Sequence, residues 1–199
     1  MPVPKIIDHE QRKVSILRAA FRLFAENGYQ NTSLSQLAEV CRISRPTLYL
    51  YFRDKEEIFT YAVKYYTDKM FSSYKNALNH TGSMLAQIQR FTSDIVLRCW
   101  YSRDFITSLG DFVVQKRRDD LNFPTEIRRR TVKLDHLIRR MLRQGIKNGE
   151  IRPVPVEETA LNIMDLVQAY MFRLAILNMV DPKNTLQVLE AFLEGLRKN

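Results

Sequence analysis

The chain has 199 residues, 45% of them hydrophobic, which is enough for a real core and excludes a disordered polymer. Six Gly and seven Pro are scattered with no Gly/Ser-rich run, which argues against a flexible interdomain linker, and no segment reaches the ~18 uninterrupted apolar residues of a membrane span, so a cytoplasmic protein without a membrane partner is expected. A net charge of +9 points to an anionic partner, yet residues 115–152 carry +7 of it, so charge alone does not locate a nucleic-acid surface.

In chain order, the first predicted element is a helix from Gln11 to Asn27. Val14, Leu17, Ala20, Phe21 and Phe24 recur there at spacings of three and four, the mark of one buried helical stripe. Gly28 closes it, because glycine adopts the positive φ of a C-terminal cap, and Tyr29 behind it supplies an apolar contact. In NTSLSQLAEVC, Ser33 followed by Gln36 fits a capping box that opens a short helix through Leu34, Leu37, Ala38 and Cys41.

The next stretch, SRPTLYLYFRDKEE, has a strand-like alternation in TLYLYF. Its context argues for a helix instead. Ser44 is a good N-cap, Pro46 falls in the first turn where its missing N–H costs nothing, and no second convincing strand exists to pair with it. As a helix, Leu48 and Phe52 stack one turn apart as the inward face. The outward arc then carries Pro46 and Leu50, flanked by Arg45, Tyr49, Thr47 and Tyr51, and two short helices joined by a turn form a helix-turn-helix whose second helix enters a DNA major groove. Asp54 and Glu57 make a further capping box. Lys55 stands at the first position of the helix that follows, where the helix dipole disfavours a cation and a bound phosphate would reverse the sign.

These residues resemble the TetR family of bacterial transcriptional regulators. ILRAAFRLFAENGY, TSLSQLAEVCRIS and SRPTLYLYFRDKEEI carry the likeness over residues 14–58, and RQGIKNGEIRP at 143–153 resembles the family's turn between two long C-terminal helices. The resemblance implies that Arg45 reads base edges, that Pro46 and Tyr49 pack on thymine methyls or the sugar-phosphate wall, and that Thr47, Tyr51 and Lys55 hold phosphates. It also implies that Thr32 and Ser33 meet the DNA backbone at the start of the first short helix. In one place the pattern breaks: the turn usually carries Gly where this chain has Arg42. A left-handed backbone there would cost a non-glycine residue on the order of 1 kcal/mol, with Arg42 in reach of a phosphate as the functional alternative to a slightly different turn.

Beyond Asp54 long helical stripes follow, at about 55–78, 83–101, 104–117, from NFPTE at 122–126 to 148, 155–180 and 182–197. The expected fold class is all-α, with a helix-turn-helix DNA-binding domain over 1–54 on a larger helical domain over 55–199. The helix from Val156 is apolar nearly all round and the last helix is amphipathic, so a homodimer through the final two helices is expected, which the resemblance also implies. Such a dimer would read a palindrome in double-stranded DNA. The resemblance implies a small-molecule effector as well. Its candidate apolar wall is Phe91, Ile95, Trp100, Phe105, Phe112, Tyr170 and Met171, with Arg98 for an anionic group on a flat or acyl-like compound. The bland alternative for each is an ordinary core or dimer contact.

Cys41 and Cys99 are far apart in sequence, the three His are dispersed, and no catalytic, metal-binding or phosphate-loop motif occurs. No enzyme activity, cofactor or metal is therefore expected. A small-molecule-binding protein or enzyme without DNA binding is the alternative reading, and a helical adaptor a third. Both leave the Arg45 to Tyr51 arc unexplained.

Overall fold

The computed structural model describes residues 8–78, 82–119, 125–177 and 181–198. Within them the chain forms nine helices: α1 His9–Asn27, α2 Leu34–Val40, α3 Arg45–Tyr49, α4 Lys55–Leu78, α5 Met84–Tyr101, α6 Arg103–Asp119, α7 Thr125–Lys147, α8 Val156–Ile176 and α9 Lys183–Glu194. The all-α expectation holds. The expected start of the seventh helix in NFPTE and the run of the eighth to 180 extend onto residues outside those described.

Helices α1, α2 and α3 form a small head around Leu17, Ala20, Phe24, Leu37, Leu48 and Phe52, all buried. Asp8 caps α1 by accepting from the amides of Glu10 and Gln11, and Gly28 ends it at φ 81° and ψ 150°, a conformation open to glycine alone. The capping box at α2 is complete, with Ser33 and Gln36 each bonding the other's backbone amide. Aromatic rings then tie the head to the helices behind it. Phe59 of α4 stacks on Phe112 of α6 at 4.4 Å, Phe21 of α1 meets Phe105 of α6 edge-on at 4.9 Å, and Tyr29 abuts both Phe59 and Phe112. Each such pair adds about 0.5–1.5 kcal/mol beyond its area burial.

In the body, α5 packs against α7, α8 and α9, and α6 lies between α1 and α8. The Gly-x-x-x-Gly-Glu-Ile-Arg segment at 145–152 is the knot of this region. A Cβ on Gly145 would stand 2.5 Å from Ile151 Cδ1 and 2.9 Å from its Cγ1, so any larger residue would push the Ile151 side chain aside where the turn folds back over the end of α7. The Glu150 carboxylate accepts from the Met84 amide at the start of α5, and Arg152 donates its backbone amide to Leu196 and its Nε to Gly195, each at 2.9 Å, closing α9 onto the same turn. No helix of the described residues is long and apolar enough to cross a membrane.

Candidate nucleic-acid interface and ligand cavity

Helix α3 begins where Ser44 Oγ accepts from the Thr47 amide at 3.2 Å, with Pro46 in its first turn. Its hydrogen bonding runs past the helix end, as the Phe52 amide donates to the Leu48 carbonyl at 3.1 Å, which places both side chains inward on one helical repeat. Both are essentially fully buried, whereas Leu50 is 84% and Tyr49 48% exposed. Arg45 and Pro46 are exposed, and Thr47 and Tyr51 are half-buried. The outward arc is therefore as the 3.6-residue period dictates. The Ser44 and Thr47 hydroxyls lie 2.8 Å apart and share the capping work. Tyr51 Oη sits 3.2 Å from His9 Nδ1, so the ring leans on α1 at the flank of the arc.

The turn between α2 and α3 settles how Arg42 fits. Its amide donates to Glu39 and the amide of Ile43 to Ala38, at 2.9 and 3.0 Å, which is the paired bonding of a Schellman cap. That cap needs a left-handed residue, and Arg42 supplies it at φ 53°, the only non-glycine with positive φ among the described residues. The turn has its usual geometry, and Arg42 bears the strain with its side chain exposed.

Two residues expected at phosphates make hydrogen bonds within the protein. Thr32 is buried, with its hydroxyl 3.0 Å from the Gly28 carbonyl and 3.4 Å from that of Leu23, so its side chain ties the α1–α2 loop; Ser33 is exposed at the start of α2. Lys55 donates from Nζ to the carbonyls of Tyr29 (2.6 Å) and Gln30 (3.2 Å) and lies over the Tyr29 ring at 4.5 Å. Partial burial pushes its pKa down. Its ammonium pins the loop after α1 to the start of α4, a role that α4 numbering alone does not reveal. The same junction holds Asp54, which accepts from the Glu57 amide at 2.7 Å, while Glu57 reaches back one residue further than a capping box requires, to the Arg53 amide at 2.8 Å.

A cavity of about 1200 Å³ opens between α1, the end of α2 and helices α4 to α8. Of the eight residues expected to line an effector site, Ile95, Arg98, Phe105 and Met171 do so. The other four do not line this cavity. Phe91 is buried in the core, Phe112 is stacked into the aromatic cluster on Phe59, and Trp100 lies under the Arg103 guanidinium at 5.4 Å. Tyr170 is buried on the core side of α8, its hydroxyl without a hydrogen-bond partner among the described residues. On an apolar helix the period says which residues share a face but not whether that face meets core or cavity.

Several lining residues were missed in the sequence. Arg12, Ser15, Ala19 and Arg22, with Arg18 beside them, form a second stripe on α1 next to the core stripe, and Val40 and Cys41 bring the end of α2 to the same space. The helical spacing of those arginines was the available signal. Tyr65, Tyr66 and Lys69 of α4, Cys99 of α5 and Met164 and Val167 of α8 complete much of the wall. Burial pushes the Cys99 thiol up to about 12 and raises those of Cys41 and the Tyr66 phenol, so both thiols here are neutral packing groups. Among the described residues no three His, Cys, Asp or Glu side chains gather in a metal-binding arrangement.

Comparison with known proteins gives a consistent picture. The family model of bacterial regulatory proteins of the tetR family matches residues 16–62, from within α1 into α4. The chain is 36% identical over 67 residues to YuxN, an uncharacterized HTH-type transcriptional regulator of Bacillus subtilis (strain 168), a match that spans 34% of this chain and only 23% of that protein. It is 29% identical over 175 residues to the HTH-type transcriptional regulator HbdR of Aromatoleum sp. (strain CIB), covering 84% of this chain and 71% of the relative. The fold matches that of the ketosteroid transcriptional regulator KstR2 of Mycobacterium tuberculosis with a TM-score of 0.74 at 20% identity, over 100% of this chain and 98% of the other. Each of these three relatives is a transcriptional regulator.

Proposed function

We propose that the chain is a DNA-binding transcriptional regulator of the TetR family of bacterial regulatory proteins, a repressor acting in the cytoplasm that binds a palindromic operator as a homodimer and leaves it when an effector fills the cavity. The observation that carries this reading is the short capped helix α3, anchored from behind by Leu48 and Phe52 and presenting Arg45, Pro46 and Tyr49 outward. Arg45 is the base reader: its guanidinium forks onto guanine O6 and N7, a pair that discriminates by about 1–3 kcal/mol. Pro46 and Tyr49 pack against the groove wall, and Ser33, Arg42, Ser44, Thr47 and Tyr51 lie around it for phosphate contacts. The division is residues 1–54 for DNA binding and 55–199 for effector binding and dimerisation. The two are linked by α4, which starts at Lys55 against the head and carries Tyr65, Tyr66 and Lys69 to the cavity wall.

Dimerisation rests on α8 and its C-cap Leu177, where Leu161, Phe172, Ile176 and Leu177 are about half exposed or more beside a helix whose other face fills the core. A second copy covers that face, with Val188 of α9 beside it. A two-fold dimer sets two copies of α3 about one DNA turn or a small multiple apart. For an effector to shift the protein from mostly bound to mostly free it must favour the released state by about 5.5 kcal/mol over a 99:1 to 1:99 swing.

The test is footprinting of the full chain on the promoter regions around its own gene, followed by titration of the protected inverted repeat against a scrambled duplex. Sequence-selective, salt-dependent protection of a repeat is expected, with Arg45→Ala losing the preference for the repeat. Equal affinity of Arg45→Ala and the parent for repeat and scrambled DNA alike would overturn the assignment, and turnover of a small molecule without DNA affinity would favour a different class of protein.

A further inference from the structure

The cavity is lined by six cationic side chains, Arg12, Arg18, Arg22, Lys69, Arg98 and Arg128, against a single carboxylate, that of Asp104, among the described residues. Three of the six stand on α1, which belongs to the DNA-reading head; the others come from α4, α5 and α7 of the body. The two chemistries are segregated. Ile16, Ile95, Phe105, Met164 and Val167 are buried and make an apolar floor, while Arg18, Arg22, Lys69 and Arg128 are exposed at its edge. Arg98 is already braced, its Nε bonded to Asp94 at 2.7 Å, so its guanidinium is held in place at the wall.

We infer that the effector is an amphiphile whose head carries phosphate, with its apolar tail on the floor from α5, α6 and α8 and its polyanionic head clasped between α1 and the body. This rests on the regulator reading given above and names its ligand. A lone carboxylate has two oxygens and one charge, and so engages one or two guanidinium groups of this set. Phosphate, with several oxygens and up to two charges per group, accepts from several guanidinium groups at once, and Arg outnumbers Lys here five to one. The volume, about 1200 Å³, exceeds the ~300–1000 Å³ typical of drug-sized pockets, so a long tail and a bulky head fit together. The head group then touches the reading head itself, through α1 and the end of α2 at Val40 and Cys41. Occupancy bridges cations of α1 and of the body through one ligand, and so couples the position of α1, with the attached α2 and α3, to the filled cavity.

The experiment is calorimetric titration of the full chain without DNA, using four probes: palmitoyl-coenzyme A, palmitoyl lysophosphatidate, palmitate and coenzyme A. The first two share palmitate's tail and add phosphate, and their relative affinities tell a nucleotide thioester head from a lipid head. The phosphorylated amphiphiles should bind at least roughly tenfold more tightly than palmitate, with a margin that shrinks as salt is raised. Arg18→Gln/Arg22→Gln should collapse that margin while leaving palmitate binding in place. The unliganded unfolding temperature of the variant reports on its folding, and Arg128→Gln, on a different helix, gives a second reading of the same margin. Palmitate binding as tightly as the phosphorylated probes, a margin untouched in both variants, or no binding by any amphiphile would overturn the inference. The regulator reading fails separately, on the footprint, and an operator complex released by palmitate alone would preserve that reading while sinking this one.

Discussion

Arg42 shows how a single backbone angle separates fold from function. The cap between α2 and α3 requires a left-handed residue, and glycine would meet that need without the clash of a Cβ with the neighbouring carbonyl. Arg42→Gly should therefore raise the unfolding free energy by about 1 kcal/mol, offset in part by the added freedom of the unfolded chain, as read by urea denaturation. If the arginine is retained for a phosphate, the same variant binds every duplex more weakly and its salt slope falls by about one. More stable and weaker on all DNA is the expected pair of results; more stable with unchanged affinity would remove Arg42 from the interface. Lys55 is the reverse case, since its ammonium holds the Tyr29 and Gln30 carbonyls. Lys55→Met should lose about 1 kcal/mol of stability by leaving those carbonyls without their charged donor, a figure kept low because the site is only partly buried. A variant of parental stability would mean that the tether is idle. Position at a helix start suggested a phosphate ligand for Lys55, and only the path of the preceding loop shows the structural role.

At the scale of the element, α3 was legible because two independent signals agreed: N-cap chemistry at Ser44, and Leu48 and Phe52 one turn apart. Its strand-like alternation carried no weight, since alternate residues of TLYLYF end on different sides of a helix. The longer helices were equally legible in existence and nearly so in extent. Their facing was not. Phe112 and Tyr170 were expected at a ligand wall and lie instead in packing between helices, because an apolar residue fits both environments and one chain's periodicity does not say what lies opposite. The cationic face of α1 was readable in spacing but not in partner, for nothing local indicates that it turns toward the body. The 145–152 turn was recognised by pattern, and its physical reason is steric. Gly145→Ala would press a methyl onto Ile151 and toward Met84 Cβ, where only 3.1 Å separates the two Cβ positions. Overpacking of this kind should cost about 1–3 kcal/mol, measurable by thermal or urea unfolding, and pairing it with Ile151→Val should recover part of the loss. Equal stability of Gly145→Ala and the parent would show that the turn relaxes freely.

For the molecule as a whole, two predictions follow from what is buried and what is not. Burial holds the Cys99 thiol neutral up to about 12 against 9.0 for a free thiol, and desolvation, helped by the carboxylates of Glu56 and Asp54, holds Tyr29 to about 12 against 10.0. Both folded values are raised, so their contribution is complete below pH 9.0, where the unfolded chain also keeps its protons. It drains away as the pH climbs toward 12 and the unfolded chain alone ionises. Urea unfolding from pH 7 to 11 should show a plateau and then a decline, and a flat profile would mean that these groups reach solvent in the native state. The exposed face of α8 predicts the assembly. Phe172 and Ile176 stand one turn apart with 60% and 48% of their surface open, adjoining Leu177 at 53%, on a helix whose opposite side fills the core. Phe172→Glu sets a carboxylate into the proposed two-fold contact, where it meets its own copy or its copy's apolar surroundings and loses hydration either way. The head is far along the chain from this change, so helix content and monomer fold should persist while sedimentation shifts from dimer to monomer. A monomer engages one half-site, so operator affinity should fall by orders of magnitude through loss of the second, linked contact, whereas affinity for an isolated half-site stays near the parental monomer value. Persistence of the dimer in Phe172→Glu and in Ile176→Glu would place the interface elsewhere. Dissociation with undiminished operator affinity would instead show that the protein reads DNA as a single copy.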